Sequence, residues 1–186
     1  SPERFGEPDL LKPLVADGTL PPVEARIPPE PLVLEGVDGV GAYGGTWMRV
    51  ATTSSDIGVM SWRLSYASPL RWSPLGRPIV PHVAQSVTTD DGGKTWTVQL
   101  REGHRWSDGH PFTTADVMYW WEQEVMDPEL GGNPPWWLLN GAELPTFVAV
   151  GDTTLEIRYQ SPNNLLPEYL ATNGQQMFGS PRHYLL

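Results

Sequence analysis

The stretch GGKTWTVQLREGHRWSDGHPFTTADVMYWWE, residues 92–122, constrains the fold more than any other part of the sequence. Apolar side chains alternate along residues 95–101, which predicts a strand with one buried face. After a turn of Gly, Asp, Pro and His, the apolar spacing becomes that of a helix running to about Met126. Thr113 and Asp116 have the spacing of a capping box, which marks the start of that helix. The chain must therefore fold through a strand, a sharp corner and a helix in immediate succession.

Hairpin patterns elsewhere predict an α+β fold of antiparallel strands with short helices. Residues 83–88 are predicted to pair with residues 95–101 across the turn TDDGGK. The segment FVAVGDTTLEIRYQSP predicts a second hairpin, with alternating apolar residues after the turn. A strand is also predicted at residues 46–51, directly after a Gly-Gly turn signal.

Further helices are predicted near both ends of the chain, at EPDLLKPLVADG and at NNLLPEYLA. Between the first helix and the strand 46–51 lies TLPPVEARIPPEPLVLE, with five prolines. Because proline is disfavoured in helix interiors and central strands, this segment is predicted to be an extended arm. The C-terminal GSPRHYLL is predicted to be a loop.

Charge and composition exclude several classes of function. Twelve Lys and Arg against 22 Asp and Glu give a net charge of -10, which repels nucleic acid and anionic lipid surfaces. No apolar run approaches the ~20 residues that span a bilayer. The chain has no cysteine, so it has neither disulfides nor thiol chemistry. The N-terminus has no apolar signal core, so we expect any export leader to lie outside this sequence.

Catalytic and metal-binding motifs are not found in the sequence. The four histidines are scattered rather than spaced to present two ligands on one helix face, and no Gly-x-Ser-x-Gly elbow occurs. The pair Asp90-Asp91 and Asp108 each precede a glycine in turn sequences, where Asp usually caps its own backbone. We therefore expect no metal and no cofactor, and a hydrolase using Asp108 and His110 is the weakest functional hypothesis.

Nine tryptophans are the second unusual feature of the sequence. Trp96, Trp120 and Trp121 occupy apolar faces of predicted elements and are interpreted as core residues. Trp136 and Trp137 follow GGNPP in a predicted loop. Two interpretations of this pair stay open, a ligand contact and an anchor that pins the loop.

The segment DDGGKTWTVQLREGHRWSDGHPFTTADVMYWWEQ resembles the signature of family 5 extracellular solute-binding proteins, the oligopeptide and dipeptide receptors of ABC importers. The matching positions are Leu100-Arg101, the turn Trp106-Ser107-Asp108-Gly109 with Pro111, and Thr114-Ala115-Asp116. YGGTWMRVA and SPRHYL resemble flanking segments of the same family. The resemblance extends from about residue 8 to the end of the chain.

The resemblance implies a fold and a domain organisation. Family members are about three times longer, so the chain matches the N-terminal third of a two-lobe, type II periplasmic-binding-protein-like fold with an extra subdomain. On this template residues 1–40 form an N-terminal helix and proline-rich arm, and residues 41–66 begin the main lobe. Residues 67–178 form the extra subdomain, and residues 179–186 return to the main lobe.

The resemblance also implies where a ligand would be contacted. An aromatic residue in the loop after the Asp-Pro that ends the helix touches the ligand in peptide-binding relatives, and a second contact follows the first strand. Asn140 is added as a planar polar group near the paired indoles. The ligand-binding residues expected on this basis are Trp136, Trp137, Ser54, Ser55, Asp56, Ile57 and Asn140.

The primary hypothesis for function is a non-enzymatic receptor that captures an oligopeptide and delivers it to an ABC permease in the membrane. An oligosaccharide is the alternative solute, because sugars bind flat aromatic faces flanked by planar polar groups. A protein-interaction module built on the tryptophan-rich face is a hypothesis of a different class. By the same resemblance we expect an exported, periplasmic or cell-surface anchored protein. On charge grounds we expect a monomer that binds no nucleic acid.

Overall fold

The computed structural model describes residues 5–34, 39, 44–46, 48–58, 67–130 and 133–186. The chain forms two compact units, Ser1–Tyr66 and Ala67–Leu186.

The first unit contains helix α1, Lys12–Ala16, inside the predicted N-terminal helix, and helix α2, Val23–Arg26. Helix α2 corrects the prediction that the proline-rich arm holds no helix. It forms in a gap between prolines, with Glu24 in its first turn and Arg26 in its last, as the helix dipole favours. The Arg26 guanidinium also contacts both carboxylate oxygens of Glu7 at 2.5 Å.

The strand predicted at residues 46–51 does not form among the residues of that segment that the structure describes. The described residues of this segment, 46 and 48–51, have no strand assignment, and Met48 and Val50 are exposed. A strand requires a hydrogen-bonded neighbour, and none of the strands described in the chain pairs with this segment. The Gly-Gly turn signal before this segment was therefore not enough to specify a strand. A short helix follows at residues 54–58.

The second unit is organised around a four-stranded antiparallel sheet. A small hairpin of β1, Leu70–Trp72, and β2, Ile79–Pro81, precedes it. The sheet has the strand order β3-β4-β6-β5. Its strands are β3, Ala84–Thr88; β4, Thr95–Leu100; β5, Thr146–Ala149; and β6, Thr154–Arg158. Both hairpins predicted from the sequence, β3-β4 and β5-β6, are confirmed.

Strand β4 shows how the sequence builds this sheet. Its buried residues are Trp96, Val98 and Leu100, and its alternate residues are half-buried. The strand is central, pairing with β3 on one side and β6 on the other. Its alternation therefore directs three apolar side chains into one core while the backbone is fully laddered.

The turn between β3 and β4 is closed by a carboxylate. Asp91 accepts hydrogen bonds from the backbone N–H groups of Thr95 at 2.8 Å and Lys94 at 3.0 Å. These bonds, led by that from Thr95, lower the pKa of Asp91 to about 2. Gly93 has a φ of +97°, and a Cβ at this position would overlap the side-chain amide of Asn164. The turn TDDGGK thus needs both its aspartate and its second glycine.

Helix α3, Thr114–Tyr119, begins at the predicted capping box. The Thr113 hydroxyl accepts from the N–H of Ala115, and Asp116 accepts from the N–H of Thr113 at 2.9 Å. From Trp120 to Val125 the helix widens into π geometry, which the sequence did not predict. The wider turn accommodates adjacent Trp120 and Trp121, both of which are buried.

The C-terminal part of the unit closes the core. Helix α4, Leu166–Asn173, was predicted from the sequence, and it continues into a 3₁₀ turn, Gly174–Phe178. Helix α5, Arg182–Leu185, lies where a loop was predicted. Its formation has a physical reason, since Pro181 is its N-cap and Asp116 accepts a hydrogen bond from the first N–H of the helix at 3.0 Å.

Aromatic and aliphatic residues from the sheet, α3 and α4 share one core. Its members with bulky rings are Trp96, Phe112, Trp120, Trp121, Trp137, Phe147, Tyr159 and Phe178. The three tryptophans assigned to the core from the sequence are confirmed there. Within the described residues, no helix has the length and apolar character needed to cross a membrane.

Candidate functional site

The loop between α3 and β5 carries the candidate contact residues. At the start of this loop, the Asp127 carboxylate accepts a hydrogen bond from the backbone N–H of Glu129 at 2.7 Å and forms a turn. Farther along, Pro135 precedes a single 3₁₀ turn, Trp136–Leu138. Because successive side chains of a 3₁₀ turn point about 120° apart, the two adjacent indoles cannot face the same surroundings.

Trp137 faces inward and anchors the loop. Its side chain is 1% exposed, its ring stacks with that of Trp120 at 6.5 Å between centroids, and its indole N–H donates to Gln176 Oε1 at 3.0 Å. The Tyr159 hydroxyl adds a second tie by donating to the carbonyl of Leu138 at 2.8 Å. The structure therefore corrects the expectation of a paired contact, since Trp137 is a core residue.

Trp136 faces outward. Its side chain is 66% exposed, and the ring meets Tyr169 of α4 edge to face at a centroid distance of 5.5 Å. The T-shaped contact orients the indole and leaves most of the side chain exposed. An exposed, oriented indole on a loop that is anchored by its neighbour has the geometry of a binding residue.

Asn140 fixes the C-terminal end of the loop through hydrogen bonds. Its side-chain N–H group donates to the carbonyls of Ser161 at 3.1 Å and Pro162 at 3.2 Å, and its backbone pairs with Glu143. These bonds join the loop to the segment before α4. Asn140 thereby holds the end of the loop that carries Trp136.

The predicted contacts Ser54, Ser55, Asp56 and Ile57 lie in the first unit, in the helical residues 54–58. The Asp56 carboxylate accepts from the hydroxyl and N–H of Thr52, and the former bond is the main cause of its lowered pKa. Asp56 thus caps the start of this helix. The side chains of Ser54, Ser55 and Ile57 are exposed.

A groove of about 710 Å³ runs beside the Trp136 loop in the second unit. Its walls come from the π-helical segment, the loop before Trp136 and helix α5, and include Tyr119, Glu124, Val125, Leu130, Pro135 and Leu185. We call this space the Glu124 groove. The groove was not predicted from the sequence, because Gln176 and Leu185 join residues 119–135 only in the folded unit.

Asp108 and His110, the two residues of the hydrolase hypothesis, interact with each other and with His183. Asp108 accepts from the N–H of His110 at 2.9 Å and contacts His183 Nε2 at 2.6 Å, and the two imidazoles stack at 3.9 Å. Such a contact joins the turn before α3 to helix α5. Among the described residues, no group of three or more His, Asp or Glu is arranged to hold a metal.

This contact predicts a pH-dependent stability. The bond to His183 is the main cause that lowers the pKa of Asp108, so the folded form releases that proton more readily than the unfolded chain. The stabilisation is present above the unfolded carboxyl pKa of about 4 and is lost as the pH falls through the lower folded value. Asp108→Asn should therefore lower the melting temperature at neutral pH, and the difference from wild type should shrink in acid.

Thermal unfolding followed by circular dichroism across this pH range measures the effect. Asp152→Asn is the matched control, because Asp152 is another exposed turn residue whose side chain makes no hydrogen bond to any residue that the structure describes. A difference between wild type and Asp108→Asn that stays constant with pH would contradict the assignment.

Comparisons with known proteins agree with this architecture. The sequence profile described as "Bacterial extracellular solute-binding proteins, family 5 Middle" matches residues 78–181. The periplasmic alpha-galactoside-binding protein of Rhizobium meliloti is 30% identical over 167 residues, covering 77% of this chain. The oligopeptide-binding protein OppA of Bacillus subtilis is 30% identical over 101 residues, covering 48% of this chain.

Solved structures extend the likeness to the whole fold. A structure of an oligopeptide-binding protein OppA superposes with a TM-score of 0.86 at 34% identity, over 97% of this chain. The periplasmic binding protein MelB of Agrobacterium fabrum, in complex with stachyose, superposes with a TM-score of 0.71 at 26% identity, over 100% of this chain.

The mixed α+β architecture is therefore part of a type II periplasmic binding protein. The chain belongs to the bacterial extracellular solute-binding proteins of family 5, whose members are substrate-binding components of transport systems. It spans only a fraction of the relatives that it matches, 23% of the alpha-galactoside-binding protein and 28% of the OppA chain.

Proposed function

We propose that this chain forms part of a receptor that binds a short peptide and delivers it to an ABC permease. The proposal rests on the loop that carries both tryptophans. Buried Trp137 anchors this loop, and exposed Trp136 is thereby held at the surface. An exposed indole supplies a large contact area at a small cost in side-chain entropy. Closure of a second lobe over it would trap the solute without covalent chemistry.

Peptide is the favoured solute class because the chain superposes on an oligopeptide-binding protein over nearly its whole length. A peptide is held chiefly by main-chain hydrogen bonds, with side chains placed in roomy pockets. Trp136 would pack against one such side chain. Ser54, Ser55 and Ile57 of the first unit are exposed and remain proposed contacts.

An oligosaccharide is the second candidate, favoured by the flat, largely exposed indole of Trp136 and by two relatives. One relative is named for alpha-galactoside binding, and the other was solved with stachyose. Sugar rings place their C–H faces on aromatic planes, which the exposed faces of Trp136 allow.

The role is binding rather than catalysis, and the permease is the proposed macromolecular partner. The alpha-galactoside-binding protein and MelB are named as periplasmic, and the matching family profile is described as extracellular. We propose that this protein is likewise exported. We also propose a monomer, which light scattering of the full-length protein would test.

Replacing Trp136 by alanine in the full-length protein is expected to weaken solute binding roughly 10- to 100-fold, as truncation of an interface tryptophan commonly does. Titration calorimetry with short peptides, cello-oligosaccharides and alpha-galacto-oligosaccharides measures the dissociation constants. The folded structure should be retained, because the side chain is mostly exposed.

Two controls make this result specific. Leu75→Ala removes another exposed apolar side chain of the second unit and should leave binding unchanged. Trp136→Phe keeps an aromatic face and should restore part of the affinity. Unchanged binding by Trp136→Ala would refute the contact, and saturable binding of sugars alone would refute the peptide proposal.

A further inference from the structure

The Glu124 groove combines apolar walls with a single charge. Val125, Leu130 and Leu185 contribute hydrocarbon surface, and Asn133 and Gln176 contribute side-chain amides. Among the described residues that line it, Glu124 carries the only charged side chain. Its volume of about 710 Å³ lies within the range of small-molecule sites in proteins.

The Glu124 carboxylate lacks a partner within the described structure. The side chain is half-buried and makes no hydrogen bond or ion pair there. Partial removal of a carboxylate from water costs free energy unless a cation or a donor compensates it. The net charge of -10 adds a negative field, so a cationic group is the favoured occupant.

The apolar lining of the groove favours a cationic group that is carried on a hydrocarbon chain. Lysine and arginine side chains carry a long hydrocarbon stem with a charge at the tip. Such a stem would lie against apolar lining residues such as Val125 and Leu130, and its tip would pair with the Glu124 carboxylate in the same groove. Pro135 lines the groove and is the chain neighbour of Trp136, so one solute can contact both.

We propose that the Glu124 groove is a specificity pocket for a basic side chain of the bound peptide, with Glu124 as the partner of its positive charge. This inference rests on the proposed function, in which the solute is a peptide. It adds that peptides with lysine or arginine at one position are preferred over neutral peptides of equal size.

The test uses the full-length protein and pairs of short peptides that differ only in lysine against norleucine, which keeps the stem and removes the charge. Calorimetry is expected to show about 10-fold tighter binding of the best lysine peptide than of its norleucine partner, a typical effect of one charge-assisted contact. Glu124→Gln, which is nearly isosteric, should abolish that preference, so that each lysine peptide and its norleucine partner bind with equal affinity.

Two further variants provide controls. Glu122→Gln removes an exposed charge from the same helical segment and should keep the lysine preference. Asn133→Lys places a positive charge on the groove wall and should weaken binding of the lysine peptides selectively. Circular dichroism verifies that each variant is folded.

The outcomes separate this inference from the proposed function. Equal binding of lysine and norleucine peptides, or a preference that survives in Glu124→Gln, would overturn the pocket while leaving a peptide receptor intact. A wild-type protein that binds no peptide of either kind would overturn the peptide proposal and the pocket with it.

Discussion

Replacing Trp137 by alanine is expected to lower the free energy of unfolding by about 3–5 kcal/mol, the usual range for truncating a buried tryptophan. The side chain is almost fully enclosed and stacks on Trp120. Its removal leaves a cavity in the core and also withdraws the indole N–H from Gln176. Urea denaturation followed by circular dichroism measures the change.

The neighbouring residue supplies the matched control. Trp136→Ala removes the same number of atoms one position away, but it loses only an edge contact with Tyr169. Its unfolding free energy should change by about 1 kcal/mol or less. Equal destabilisation by the two substitutions would contradict the assignment of one indole to the core and the other to the surface.

Asp116→Ala is expected to destabilise the second unit by about 2–4 kcal/mol, because the carboxylate has two separate tasks. One oxygen accepts from the N–H of Thr113 and closes the capping box of α3. The other accepts from the N–H of Arg182 and holds the start of α5. The residue is 5% exposed, so water would replace neither bond well.

Thr113→Ala isolates the first of these tasks. This substitution removes only the hydroxyl half of the capping box, at an expected cost of about 1 kcal/mol. Hydrogen exchange of the α5 amides should accelerate in Asp116→Ala and stay near wild type in Thr113→Ala. Similar free-energy losses and exchange rates in both variants would show that the contact with Arg182 contributes nothing.

Local signals in the sequence predicted the strand, corner and helix around residues 92–122 correctly. The alternation in β4, the turn closed by Asp91 and the cap at Thr113 each depend on residues a few positions apart. A pattern of this kind specifies its own structure because the interacting groups are close in the chain.

Features that depend on distant partners were not predicted. The segment at residues 46–51 has a strand-like pattern, but pairing with another segment decides whether a strand forms. Helix α5 likewise depends on Asp116, a residue far away in sequence. The π turn at Trp120 and Trp121 arises from the packing of two bulky rings, which periodicity does not record.

In the candidate site, too, local features were predicted from the sequence and features that depend on distant residues were not. The sequence singled out the loop and its two tryptophans, yet nothing local distinguishes Trp136 from Trp137. The difference in burial depends on Trp120 and Gln176. The ring of Trp137 stacks on Trp120 and its N–H donates to Gln176, whereas the ring of Trp136 has neither contact. The Glu124 groove was missed for the same reason, because it is assembled from segments that meet only in the fold.

We expect a bound solute to meet the ring of Trp136 while Trp137 stays within the core. A crystal structure of the full-length protein with a short lysine-containing peptide tests this most directly. The predicted result is a peptide side chain packed on the exposed indole face, with the Trp137 N–H still bonded to Gln176. Two results would contradict this expectation: a bound peptide that leaves Trp136 in solvent, or a Trp137 side chain that leaves the core and contacts the peptide.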